Sequence, residues 1–133
     1  MAAWQGWETD RVVLALSGVL LAGVWVQLTL MHLAGAFKRW QMWAPVIYTP
    51  LALLGVAVAI ATRRDPWGWV AVVLLVGSAA EGIAGLFFHL QGMHYQVGGI
   101  RSLRNVVSGP PPLLPVAYTL VGALGIVAVV WDA

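Results

Sequence analysis

Two histidines, one carboxylate and two tyrosines lie in or beside otherwise uncharged apolar runs, and they are the groups in this sequence with chemistry to offer. His32 and His89 occur in matching strings, His32-Leu33-Ala34-Gly35 and His89-Leu90-Gln91-Gly92. Imidazole is the commonest metal ligand near neutral pH. A pair of them at one depth in a membrane suits the two axial positions of haem b, and a quinone or another metal would use the same pair. His94 follows His89 closely and is expected past the helix end, in a polar rim with Gln91, Tyr95 and Gln96. There it could join His32 and His89 as a third metal ligand, although no spacing reaches a specific zinc pattern such as His-Glu-x-x-His. The plainer alternative is that interfacial histidines bond only to headgroups and loops.

Glu81 is the one carboxylate in the middle of an apolar run. A charge there costs a few kcal/mol, so the side chain must face other helices rather than lipid. Its eight-residue separation from His89 is about 12 Å along a helix. With metal–ligand bonds of ~2 Å, one ion cannot hold both. Glu81 is therefore a separate feature, either a proton- or quinone-linked group or a structural clasp, and Gln27 is its expected buried polar partner on the first helix. Tyr48 and Tyr118 recur at the starts of two helices, level with the histidines, where their hydroxyls could line the same cavity and contact a cofactor. Their neighbours at helical spacing, Ala52, Gly55 and Ala59 in one case and Gly122 and Gly125 in the other, read first as helix-packing seams. Ser78, Gly82, Gly85, His89 and Gly92 share one helical face, a strip of small residues with room for a flat macrocycle or for a neighbouring backbone.

The elements that must position these groups are membrane helices. Of 133 residues, 61% are hydrophobic and 9% charged, against about 25% charged in a soluble domain. Too little polar surface exists to cover a water-facing globule. Four uncharged runs each supply the roughly 20 residues that span ~30 Å of hydrocarbon, and helices are expected over 11–36, 44–62, 67–91 and 113–131. Lys38-Arg39, Arg63-Arg64-Asp65 with Pro66, and the tryptophans at 4, 7, 40, 43, 67 and 69 mark their ends at the headgroups. The acidic first ten residues lack the basic stretch of a cleaved leader, so the first run is read as a mature helix. The 92–112 connection carries Ile100, Leu103 and Val107 on one helical face and Arg101 and Arg104 on another. This fits a short amphipathic helix on the membrane surface, or else an irregular loop, before the stiff run Gly109-Pro110-Pro111-Pro112.

Cysteine is absent, which removes disulfides, thiolate ligands and thiol nucleophiles. The net charge of +2 is too small and scattered for nucleic-acid binding. No Ser-His-Asp order, phosphate loop or dinucleotide fingerprint is present.

The sequence also repeats itself. Pro45-Val46-Ile47-Tyr48-Thr49 parallels Pro115-Val116-Ala117-Tyr118-Thr119, and Leu54-Gly55 then matches Leu124-Gly125 in the same register. With the paired histidine strings, this points to a duplicated helix hairpin, about 11–62 and 67–131. Both copies enter from one side, so the pseudo-two-fold axis lies along the membrane normal. In an up-down bundle of this kind, helices 1 and 3 stand on a diagonal and bring His32 and His89 face to face. Basic residues divide almost evenly between the two sides; the reading adopted puts both termini outside and the histidine end in the cytoplasm.

The second hairpin, His89-x-x-Gly92, Gly98-Gly99, Arg104-Asn105, Gly109-Pro110-Pro111 and Pro115, resembles small four-helix bacterial membrane proteins with no settled function, mainly over residues 89–125. The resemblance implies the bacterial inner membrane and a role as an accessory to membrane-linked redox enzymes.

The expectation is thus an all-α, four-helix transmembrane bundle forming one domain over 1–133. Its function would be that of a small membrane subunit or anchor of a redox system, with haem b or quinone near His32 and His89 and no stand-alone enzymatic activity. The alternatives are a cofactor-free structural or assembly subunit and a small transporter using Glu81 as its proton-linked group. Its partners would be the lipid bilayer and a protein subunit or second copy.

Overall fold

A computed structural model describes residues 1–62 and 65–131. Arg63 and Arg64, expected to close the second helix, lie outside the described residues. The described chain is helical, without strands, and four of its helices are long and apolar enough to cross a membrane. Helix α1 is Thr9–Ala34, α2 is Trp43–Thr62 after a single 3-10 turn at Trp40–Met42, α3 is Trp67–Val97, α4 is the short Leu103–Ser108, and α5 is Leu113–Val130.

Packing follows a ring: α1 against α2, α2 against α3, α3 against α5, and α5 against α1. This leaves α1 and α3 on one diagonal and α2 and α5 on the other. The core is a column of small and medium side chains, Leu14, Leu21, Ala52, Val56, Ala59, Ala71 and Leu75 among them, with Tyr118 at one end. Large apolar side chains such as Val19, Ile47, Val73 and Leu120 remain exposed around the outside, the surface that lipid would cover.

Local chemistry explains the helix ends. The N-terminal segment folds back onto the end of α2, where the last carbonyls lack intrahelical donors. The Trp4 indole donates to the Ala59 carbonyl at 2.7 Å, and Arg11 Nε donates to that of Ile60 at 2.9 Å. Within α2, Pro50 has no N–H to offer the carbonyl four residues back. That carbonyl, on Val46, accepts instead from the Trp25 indole of α1 at 2.9 Å.

Two boundaries depart from the sequence expectation. Helix α3 runs six residues beyond Gln91, to Val97, so His94 belongs to its last turn rather than to a loop. Gly92 does not end the helix; its bare face accepts Pro110, whose Cγ would stand 3.2 Å from a Cβ there. The stop is Gly98, at φ 83°, with Gly99 N–H donating to the Met93 carbonyl. At 31 residues α3 is about 46 Å long, longer than the hydrocarbon layer. Helix α1 ends at Ala34, two residues early, because Ala36 and Phe37 both turn left-handed, at φ 57° and 46°.

The 92–112 connection contains one short helix, α4, which begins after Ile100 and Arg101 and whose Ser102 cap accepts from the Asn105 N–H. Ile100, Leu103 and Val107 are all exposed.

Candidate functional site

A cavity of about 600 Å³ opens at the end of the bundle where α1 finishes and α5 begins. Its walls bring together His32 of α1, His89 and Glu81 of α3, Tyr118 of α5, and Lys38 and Arg39 of the turn between α1 and α2. Leu28, Met31, Phe88 and Leu114 supply its apolar lining. The volume is typical of pockets that take a small molecule or cofactor, about 300–1,000 Å³.

His89 is oriented from behind. Its Nδ1 lies 2.8 Å from the Pro111 carbonyl. A carbonyl only accepts, so Nδ1 carries the hydrogen, and in the neutral ring Nε2 keeps its lone pair. Metal-binding histidines are held by the same kind of bond. The sequence sets up this contact, since Pro110, Pro111 and Pro112 have no N–H of their own and hold the chain across α3.

His32, on the opposite wall, is in a different condition. Its Nδ1 is buried and has no hydrogen-bond partner among the described residues. Such an orphaned atom costs about 1–3 kcal/mol; it is itself closed off, while the His32 side chain as a whole lines the cavity. The ring lines the same cavity as that of His89. It also meets Phe37 edge-on, at 6.1 Å between centroids. Phe37 in turn stacks on Trp43 at 4.1 Å. The left-handed turn at Ala36 and Phe37 therefore does two things: it wedges Phe37 between His32 and Trp43, and it delivers Lys38 and Arg39 to the cavity rim.

Toward the middle of the bundle stands a line of oxygens. The Tyr118 hydroxyl donates to Glu81 Oε2 at 3.2 Å and lies 2.8 Å from Thr49 Oγ1. This line joins α3, α5 and α2 across the second diagonal. Sequence reasoning missed Thr49; its only mark was membership of the repeated string.

Several expectations are corrected. Glu81 does meet a polar group on another helix, but that group is Tyr118 and not Gln27. Gln27 is exposed, turned by the register of α1 toward an outer groove with Leu113 and Ala117. Tyr48 does not line the cavity: its hydroxyl donates to the Leu74 carbonyl at 3.1 Å, over the bare face of Gly77. The three-histidine metal site also fails. His94 is exposed on the far turn of α3 against Tyr95, and no group of three His, Asp or Glu side chains able to hold a metal forms among the described residues. The small-residue strip is a packing seam first. Gly82 lies against Thr119 and the Pro115 carbonyl of α5, and Gly85 against the Pro115 ring. Gly82, Gly85 and Gly92 nevertheless also line the cavity beside His89, together with Glu81, Ala84 and Phe88.

Searches against protein-family models, curated proteins and solved structures return no match to this chain.

Proposed function

We propose that this chain is a small integral-membrane subunit of a redox system and holds its cofactor between His32 and His89. The observation that carries the reading is the single cavity walled by both histidines, one oriented through Nδ1 by a backbone carbonyl and the other with an unpartnered buried Nδ1. A two-histidine site inside four apolar helices fits haem b in residue type and in volume. His32 and His89 would hold it through their imidazoles, and one-electron transfer is the chemistry it would supply. The protein's part is to fix the rings, exclude water with Leu28, Met31 and Phe88, and keep the polar pair Glu81–Tyr118 at the inner wall.

That pair favours a second reading, a quinone–quinol site in which a quinol hydroxyl would donate to the free Nε2 of His89, with Glu81 and Tyr118 at the inner wall. Both readings place the histidine end toward the cytoplasm of a bacterial inner membrane, with a protein partner supplying or taking electrons. Both also keep the hairpin duplication as the origin of the paired strings. In that history Tyr48 and Tyr118 have diverged, one closing a seam and the other facing the cavity.

The test is the absorbance spectrum of the protein purified in mild detergent from haem-replete membranes. A Soret band present in wild type and lost in both His32→Ala and His89→Ala supports haem b. Extractable quinone without a Soret band supports the second reading. A folded protein that carries neither, and takes up neither on addition, leaves a cofactor-free assembly subunit.

A further inference from the structure

The cavity is electrically polarised along its length. Lys38 and Arg39 stand at its open rim, exposed, and neither makes an ion pair among the described residues. Glu81 stands at the inner wall, about 12 Å deeper along α3 than His89. Between them lie apolar side chains and the two imidazoles. A ligand matching this sequence of groups has acidic substituents on one edge, a flat apolar body, and a centre that accepts nitrogen ligands. The two cations at the rim attract an acidic edge, and among the described residues no Lys or Arg lines the inner end, so the acidic edge faces the rim.

The turn that places the two cations is itself unusual. Ala36 and Phe37 both adopt left-handed backbone angles that side chains disfavour by roughly 1–2 kcal/mol per residue. Neither is glycine, and Gly35, the residue that could take such angles freely, does not use them, lying at φ −79°. Strain of this kind persists where surrounding structure enforces it, often at ligand sites. Here the enforcement is visible in the Phe37–Trp43 stack and in the Phe37 N–H donating to the His32 carbonyl at 3.1 Å. One short turn thus couples the placement of His32 to that of Lys38 and Arg39.

We infer that Lys38 and Arg39 are an anchor for the paired carboxylates of a porphyrin, so that the cofactor of this cavity is a dicarboxylate macrocycle of the haem b class, seated acid edge outward. The inference rests on the reading of His32 and His89 as a cofactor site and deepens it. A quinone ring is neutral and has no use for two adjacent cations at the rim. Two partly exposed ion pairs contribute modestly, about 0.2–1 kcal/mol each, which together correspond to a roughly twofold to thirtyfold change in affinity.

The experiment uses the full chain in uncharged detergent, titrated with haemin and separately with haemin dimethyl ester, which keeps the iron and the ring but lacks both acids. Binding is read from the Soret band. Wild type should bind haemin about threefold to thirtyfold more tightly than the ester. The double variant Lys38→Gln/Arg39→Gln should lose that preference, its affinity for the ester staying within about twofold of wild type, as expected for surface pairs of this strength. The ester is also the control for folding. Equal affinity of wild type for the two ligands, or equal losses for both in the double variant, overturns the anchor while leaving the histidine site intact. Failure of wild type to bind either porphyrin, or unchanged binding in His32→Ala and His89→Ala, overturns the underlying site and the anchor with it.

Discussion

The Trp25 indole N–H donates to the Val46 carbonyl at 2.9 Å, and Val46 is the residue whose carbonyl Pro50 leaves without an intrahelical donor. A helix in hydrocarbon must satisfy every backbone group internally or through a neighbour. Here α1 repairs a defect in α2, and the repair fixes the rotation of the two helices that carry His32 and Thr49.

A double-mutant cycle tests that relationship. Trp25→Phe keeps most of the packing and removes the donor, so it should cost about 1–3 kcal/mol. In a Pro50→Ala background the helix provides its own N–H to Val46. The same Trp25→Phe change should then cost less than about 1 kcal/mol, giving a coupling well above the scatter of independent sites. Chemical unfolding in detergent micelles measures both. Equal costs in the two backgrounds would show that the carbonyl is served by some other donor.

Much of this architecture could be read in the sequence, because apolar runs, prolines and tryptophans report directly on a membrane span. The up-down order of four spans puts the first and third helices on a diagonal, and the repeated His-Leu-x-Gly string puts His32 and His89 at one end of it. What the sequence could not disclose was rotation about each helix axis. Gln27 and Glu81 were paired by level, but level does not determine facing, and a single helical step of 100° separates a core position from a lipid one. Tyr48 and Tyr118 look equivalent as letters, yet one bonds a backbone carbonyl and the other a carboxylate. The left-handed turn at Ala36 and Phe37 carries no signal at all, since neither residue type favours it.

That turn makes its own prediction. A β-branched side chain is a poorer occupant of the left-handed region than alanine, so Ala36→Val should destabilise the protein by roughly 1–2 kcal/mol. Ala36→Gly should be neutral or mildly stabilising, because glycine adopts φ 57° without a Cβ clash. Unfolding midpoints of the two variants, compared with wild type, decide it. A valine variant as stable as wild type would mean that the turn does not hold this conformation.

The oxygen line at Tyr118 separates hydrogen bonding from charge. Tyr118→Phe removes the group that meets both Glu81 and Thr49. It should cost about 1–3 kcal/mol for the partners left unpaired. Glu81→Gln retains an oxygen that accepts the Tyr118 proton, and its cost should be smaller, under about 1 kcal/mol. If the amide variant loses as much as the phenylalanine variant, Glu81 contributes through its charge rather than through this bond.

Glycine position offers the sharpest test of the α3–α5 seam beside the cavity. A Cβ on Gly82 would collide with Thr119 Oγ1 and stand 2.8 Å from both the Pro115 carbonyl oxygen and the Thr119 nitrogen. A side-chain oxygen can rotate away, but two backbone atoms cannot, so α3 and α5 must separate. Gly82→Ala should therefore cost about 1–3 kcal/mol as overpacking. It should also move Pro111, which lies upstream on the same lead-in and orients His89. Gly23 is the internal comparison: it is exposed in the middle of α1, with nothing within 4 Å of a Cβ placed there. Gly23→Ala should gain up to about 1 kcal/mol from helix propensity. The pair of substitutions is chemically identical and opposite in expected sign, so general effects of adding a methyl to a membrane helix cancel. Haemin titration of Gly82→Ala adds a second readout. If the seam holds the cavity in shape, affinity falls along with stability, whereas a stability loss with unchanged affinity would place the His89 wall under the control of α4 and the proline run instead.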